Sequence, residues 1–174
     1  MGDYKAILET TTTRLEIHKS QPTTQQQTTV PLTEKQKIFI HNPADLYPVM
    51  RSILLREDEN SRRKEHFWVV GLRSDNRILY IELVSLGNAS SAVADPLDVY
   101  QLAVVNKSSR IMVVHNHIDA GLKPSESDKT TTQNLIEGGK LLNIQVLDHL
   151  IISEDGYFSF LEEGLIEMEE NGEG

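Results

Sequence analysis

The sequence predicts an α/β domain built on a mixed β-sheet flanked by helices, on three observations. From residue 42 onward, apolar patterns follow one another in the order helix, strand, strand, helix, strand, helix, strand, strand. The run RIMVVH, residues 110–115, is apolar without alternation, the pattern of a strand covered on both faces at the centre of a sheet. Two helices open on the same signature, Asn42-Pro43 and Asp95-Pro96, an N-cap followed by proline at the first helical position. A chain of 174 residues is long enough for one such domain with a sizeable core.

Residues 1–36 read as an arm and linker. YKAILETTTTRLEIH alternates loosely, an edge strand or a partly ordered tail. SQPTTQQQTTVPLT, residues 20–33, is Thr/Gln-rich and bracketed by prolines, the composition of a linker. The domain proper is placed at 37–166. Its first helix carries Leu46, Val49, Met50, Ile53 and Leu54 at helical spacing, with Pro48 early enough to disturb only the first turns. EDENSRRK is a charged loop. HFWVVGL and RILYIELVSLG are strands joined by a Ser74-Asp75-Asn76 turn. Val99, Leu102 and Ala103 give the next helix its apolar face, and that helix ends near Asn106. A further helix spans 126–142 with Leu135, Ile136 and Leu142 toward the core. Gly138-Gly139 costs it on the order of 1 kcal/mol per glycine against alanine, which implies a close neighbour. IQVLDHLIIS is a strand and YFSF a short second one after Asp155-Gly156. Residues 167–174 form an acidic tail.

Composition removes several classes of function. There is no cysteine, which excludes disulfides, thiolate zinc sites and cysteine nucleophiles, so any metal must use His, Asp or Glu. The formal charge of −9 argues against a tight grip on a phosphate backbone, with Arg62, Arg63 and Lys64 the one clear basic cluster. Neither GxGxxG nor GxxxxGK[ST] occurs. No apolar run reaches the roughly 18 residues of a membrane span. The start, MGDYKAILETTTT, has no basic segment leading into an apolar one, and Ala6 stands where myristoylation asks for Ser or Thr. The expected compartment is the cytoplasm.

The chemistry concentrates in HNHIDAGLKPSESD, residues 115–128. Residues two apart on an extended backbone point to one side, so His115 and His117 can converge on one ion while Asn116 points away. They lie where RIMVVH runs out, and strand C-terminal ends in α/β sheets are frequent places for sites. One more oxygen ligand completes a three-ligand set with an open fourth position, the coordination of a catalytic zinc. Asp128, in the first turn of the following helix, is one candidate, and Asp119 competes with it. A second reading of Ser125-x-x-Asp128 is a capping box that serves only the helix.

The spacing H-x-H, seven residues, S-x-x-D resembles the JAMM motif of the MPN-domain metallopeptidases. HNH…KPS..D, followed by LLNIQVLDHLIIS and GYFSFLEEGL, is similar to the RadC branch of that superfamily, and the similarity runs from about Glu65 to about Leu165. EHFWVVGLRSDNRI, SLG and DPLDVYQLAVVNKSSRIMVVHNH fit the same pattern. The resemblance implies an MPN-like mixed sheet with the metal site at the end of a central strand. It implies one Zn2+ held by His115, His117 and Asp128. It gives Ser125 a hydrogen bond to the attacking water or the oxyanion, and Glu65, in E-x-F, the role of general base. Read from the residues alone, Glu65 after Arg62-Arg63-Lys64 is a solvated turn residue, and Glu82, inside ILYIELV, is the acid that stands out; it is the runner-up. The implied reaction is hydrolysis of a peptide or isopeptide bond in a protein or peptide substrate.

Three departures qualify the resemblance. Ile118-Asp119-Ala120 replaces the family's Pro-Ser-Gly, with a glycine only at Gly121. Leu97 stands where the family usually has arginine. No helix-hairpin-helix pattern precedes the domain. Competing readings are therefore an MPN-type scaffold without catalysis and a DNA-repair-associated protein, as the RadC label suggests. The charge weighs against the latter. Asp148-His149 reads first as a core histidine bonded locally, with an outer role around a metal as the alternative. Oligomeric state is not legible.

Overall fold

The structure is a computed structural model that describes residues 4–9, 14–19, 38–87 and 94–167. The linker expected at 20–33 and nearly all of the acidic tail, from 168, lie outside the described residues.

Five strands make the body of a mixed sheet: β3 (Glu65–Leu72), β4 (Ile78–Gly87), β5 (Arg110–Asn116), β6 (Gln145–Ile152) and β7 (Tyr157–Ser159). They lie in the order β4-β3-β5-β6-β7, with β5 and β6 parallel and every other pair antiparallel. The N-terminal arm adds a hairpin, β1 (Tyr4–Glu9) and β2 (Arg14–Lys19), on the β4 edge through Lys5 opposite Glu82. The alternation of that segment thus belongs to strands, not to a tail.

The helices are α1 (Pro43–Leu55), α2 (Glu59–Arg62), α3 (Pro96–Val105) and α4 (Glu126–Leu142). α2 is a correction, since EDENSRRK reads as a loop. One turn of helix forms there because Asp58 caps it, its carboxylate accepting from the Ser61 N–H at 2.9 Å. At α1, Asn42 and Asp45 form a reciprocal capping box, and the helix runs through Pro48 without a break.

β5 divides the core in two, as a doubly covered strand must. Met112 and Val114 face one side, with Trp68, Val70, Leu150 and the α1 residues Leu46, Met50, Ile53 and Leu54. Ile111 and Val113 face the other, with Phe67, Val69, Val99, Ala103 and Leu135 of α3 and α4. Each such side chain, fully buried, stabilises the fold by about 1.5–3 kcal/mol. The close neighbour expected at Gly138-Gly139 is Tyr100. A Cβ on Gly138 would meet its Cε2 at 3.0 Å, and one on Gly139 would meet its Oη at 2.7 Å and the Ile144 carbonyl at 2.3 Å. The Tyr100 hydroxyl donates to the Leu135 carbonyl, which locks α3 onto α4.

Strand direction decides where a site can form. β5 and β6 are parallel neighbours, so α4 must carry the chain back along the sheet. Its N-terminus therefore sits over the C-terminal end of β5. β3 runs antiparallel to β5 and begins at that same end, with Phe67 opposite His115. Glu65, the first residue of β3, therefore lies at the end of the sheet where His117 leaves β5.

Candidate metal centre

His115 and His117 leave the end of β5 on the face covered by α4, and the two Nε2 atoms approach to 3.0 Å. Asp128 meets both. Its Oδ1 is 3.1 Å from His115 Nε2 and its Oδ2 3.2 Å from His117 Nε2. Among the described residues, these three form a group of potential metal ligands whose donor atoms all lie within 4.8 Å of one another. Ligand atoms about 2.1 Å from one tetrahedral ion stand roughly 3.4 Å apart. The contacts of 3.0–3.2 Å, made through both Asp128 oxygens, lie slightly inside that, and one donor atom from each residue stays within 4.8 Å of the others, so small side-chain movements fit the three around a single metal ion. Asp119, the competing ligand, is committed elsewhere: its Oδ1 accepts from the Gly121 N–H at 2.9 Å and closes its own turn.

The cap and the ligand set share residues rather than compete. Ser125 is the N-cap of α4 and accepts from the Asp128 N–H at 3.1 Å. The Ser125 N–H and hydroxyl both donate to Asp128 Oδ2, each at 2.7 Å. The box thus fixes the Asp128 rotamer and aims its carboxylate back at the strand end. Burial alone would push the Asp128 carboxyl up, but hydrogen bonds with His115, His117 and Ser125 hold it well below the carboxylate range. The same hydrogen bond to Asp128 raises His117 against the opposing effect of burial, with Glu65 adding in the same direction.

Asn116 does point away, and its work is visible only in three dimensions. On the opposite face its Oδ1 accepts from the His66 N–H at 2.9 Å, and its Nδ2 donates to the Lys64 carbonyl at 3.0 Å and the Arg62 carbonyl at 3.3 Å. Those bonds grip the backbone on both sides of Glu65. Glu65 is therefore the first residue of a clamped strand, half-buried, not a freely solvated turn residue. Glu82 lies opposite Val69 on β4, which β3 separates from β5. Two strand spacings of about 4.8 Å each keep it from the histidines.

Asp148 and His149 part company. Asp148 is buried, and burial pushes its carboxyl up to about 6. It accepts from the Ser159 hydroxyl, the Leu161 N–H and the His149 N–H. The His149 ring is not bonded locally, contrary to the first reading of the sequence: its Nε2 lies 2.8 Å from His115 Nδ1. Nothing in the spacing marks this partner 34 positions away. Phe67 stacks near His115, and Phe160 on His149 with centroids 4.6 Å apart, so both rings rest on apolar walls. His66 is buried, stacked on Trp68 and bonded through Nδ1 to the Lys64 carbonyl.

The loop that departs from the family pattern sits at the rim. The Ala120 N–H closes a turn on the His117 carbonyl at 3.0 Å, and Ala120 itself has φ 56°. A left-handed alanine costs about 1–2 kcal/mol. Ala120→Gly is therefore expected to stabilise the protein by up to about 1 kcal/mol, the relief exceeding glycine's added unfolded-state entropy. A urea titration checks this, and a lower midpoint in the variant contradicts it. Beside the loop runs an open cleft of about 370 Å³, lined by Arg62, Asn116, His117, Ile118, Ile152 and Glu154 among others. Leu97 is 71% exposed at the first turn of α3, and so is a surface residue.

A mixed sheet carrying two histidines at a strand end and a carboxylate at the facing helix N-terminus defines an α/β domain with a cluster that could hold a metal ion. The chain belongs to the RadC-like JAB domain family, whose model matches residues 40–165. A UPF0758 protein of Methanosarcina mazei is 37% identical over 133 residues, covering 76% of this chain and 56% of the relative. A UPF0758 protein of Staphylococcus haemolyticus is 38% identical over 133 residues, with the same coverage. One from Caldanaerobacter subterraneus is 34% identical over 137 residues, 79% of this chain and 57% of the relative. The chain thus spans little more than half the length of these relatives. Among the described residues, no helix is long and apolar enough to cross a membrane.

Proposed function

We propose that the protein is a cytoplasmic zinc-dependent hydrolase acting on peptide or isopeptide bonds of a protein or peptide substrate. The observation that carries this reading is the convergence of His115, His117 and Asp128 at the strand end where Glu65 also begins. Two imidazoles and a carboxylate, with no thiolate, suit a catalytic zinc with a free coordination position. When bound, zinc supplies Lewis acidity, lowering the pKa of a water from 15.7 to about 7.

The protein's own groups do the rest. Glu65, at the start of β3, accepts the proton of the attacking water and returns it to the leaving amine. Ser125 donates to the tetrahedral oxyanion. Its hydroxyl can turn to do so because the Ser125 N–H keeps Asp128 Oδ2 bonded. The substrate approaches along the cleft beside His117, where the ion pair of Arg62 and Glu154, 2.7 Å apart, forms part of the wall.

Metal analysis of the protein purified without chelator, then a panel of peptide and isopeptide substrates, tests the proposal. One zinc per chain with cleavage is expected. No metal above trace level after zinc is supplied refutes it. Zinc with no cleavage across the panel favours a scaffold role.

A further inference from the structure

We propose that His149 and Thr132 are positioning residues that hold His115 as its Nδ1–H tautomer, with a bare Nε2 aimed at the metal. This rests on the metal-site reading above. The argument follows protons along four consecutive contacts.

The Asp128 backbone carbonyl can only accept. Thr132 Oγ1, one helical turn later, lies 2.7 Å from it and donates its one proton there. The same oxygen is 2.6 Å from His149 Nδ1, so that nitrogen carries a hydrogen and donates to the hydroxyl. His149 Nε2 and His115 Nδ1 are 2.8 Å apart, with room for one hydrogen between them. Placing it on Nε2 would make His149 an imidazolium. That ring is fully buried against Phe67 and Phe160, and the adjacent Asp148 carboxylate is turned to Ser159, Leu161 and the His149 backbone. The hydrogen therefore sits on His115 Nδ1. Without metal, His115 Nε2 bonds to Asp128 Oδ1 at 3.1 Å; on loading, a metal ion takes that place, and the hydrogen kept on Nδ1 leaves Nε2 bare toward the point it shares with Asp128 and with His117 Nε2, 3.0 Å away.

The chain of contacts is a closed ring. It starts at the main-chain carbonyl of Asp128 and returns to the carboxylate of Asp128. The helix turn that supplies one metal ligand also sets the tautomer of another. The reverse proton order, with Thr132 donating to His149, would put a hydrogen on His115 Nε2 and block the metal.

Long-range 1H–15N spectra of the imidazoles in the zinc-loaded chain are the first test. The expected result is His149 protonated on Nδ1 and bare on Nε2; a hydrogen on Nε2 overturns the proposal. Zinc affinity by chelator competition is the second. His149→Leu, which removes the acceptor for His115, is expected to weaken zinc binding roughly 10- to 100-fold. His149→Gln, whose amide oxygen can accept from His115 Nδ1, is expected to recover most of that loss, a rescue that a purely structural role would not give. Thr132→Val, nearly isosteric, is expected to weaken binding in the same direction, and it decides the matter should His149→Leu fail to fold. Wild-type affinity in folded His149→Leu or Thr132→Val overturns this inference alone. A wild-type chain that takes up no zinc overturns the metal reading beneath it.

Discussion

Glu65→Gln is expected to keep one zinc per chain and lower kcat by 10²- to 10⁴-fold, the range removed with a general base, which corresponds to about 3–5 kcal/mol of barrier. The substitution is nearly isosteric and leaves the bonds that Asn116 makes to Lys64 and His66 intact, because both are to main chain. Its effect should therefore fall on proton transfer, not on the fold. Steady-state kinetics on any substrate found in the panel, beside zinc analysis of the same preparation, separates the two. Glu82→Gln is the matched control. It sits beyond β3 from the histidines and should retain turnover. Wild-type kcat in Glu65→Gln removes Glu65 from the mechanism.

The second large effect concerns metal and stability together. Zinc at about a thousand times its dissociation constant stabilises a site that exists only in the folded state by roughly 4 kcal/mol. For a domain of this size that shifts Tm upward by about 8–16 °C. His117→Ala should lose the shift, since it removes one of the three proposed ligands, at the solvent side of the cluster. A full shift in that variant places the zinc elsewhere. The pH dependence has opposite signs with and without metal. His117 is raised in the fold, so the stability from its bond to Asp128 is present below about pH 6.5 and fades as pH climbs through the raised value. Asp128 is held low, so its contribution persists down to acid and is lost only as pH falls through that lowered value. Zinc requires the unprotonated imidazole, so the zinc-induced shift in Tm should grow with pH over the range in which the metal-free protein loses this contribution. Melts across pH 6–8 with and without zinc display both trends.

Much of the fold was legible because it follows local rules. Asn42-Pro43 and Asp95-Pro96 start helices by satisfying orphan N–H groups, which needs no distant partner. RIMVVH, short, unbroken and rich in β-branched residues, reads as a doubly covered strand. Gly138-Gly139 signalled a close neighbour, although the neighbour, Tyr100, could not be read from it. The arm was legible only as an edge strand or a tail, because its pattern is weak and its sheet partner lies far along the chain, and the single turn at 59–62 escaped notice because one capping side chain makes it.

The site divides along the same line. By itself the sequence determined that any metal ligands would be histidine and carboxylate, that His115 and His117 share a side, and that Ser125 and Asp128 open a helix. Those are consequences of composition, of the two-residue strand period and of capping chemistry. Tertiary structure brought Asp128, and not Asp119, to the two histidines, set the start of β3, with Glu65, at the end of β5, turned Asn116 into a clamp and joined His149 to His115. The parallel β5–α4–β6 crossover and the antiparallel β3–β5 register carried out that selection, because strand direction fixes which chain ends meet, and a span of 11, 34 or 50 residues leaves no periodic trace of the partner it finds.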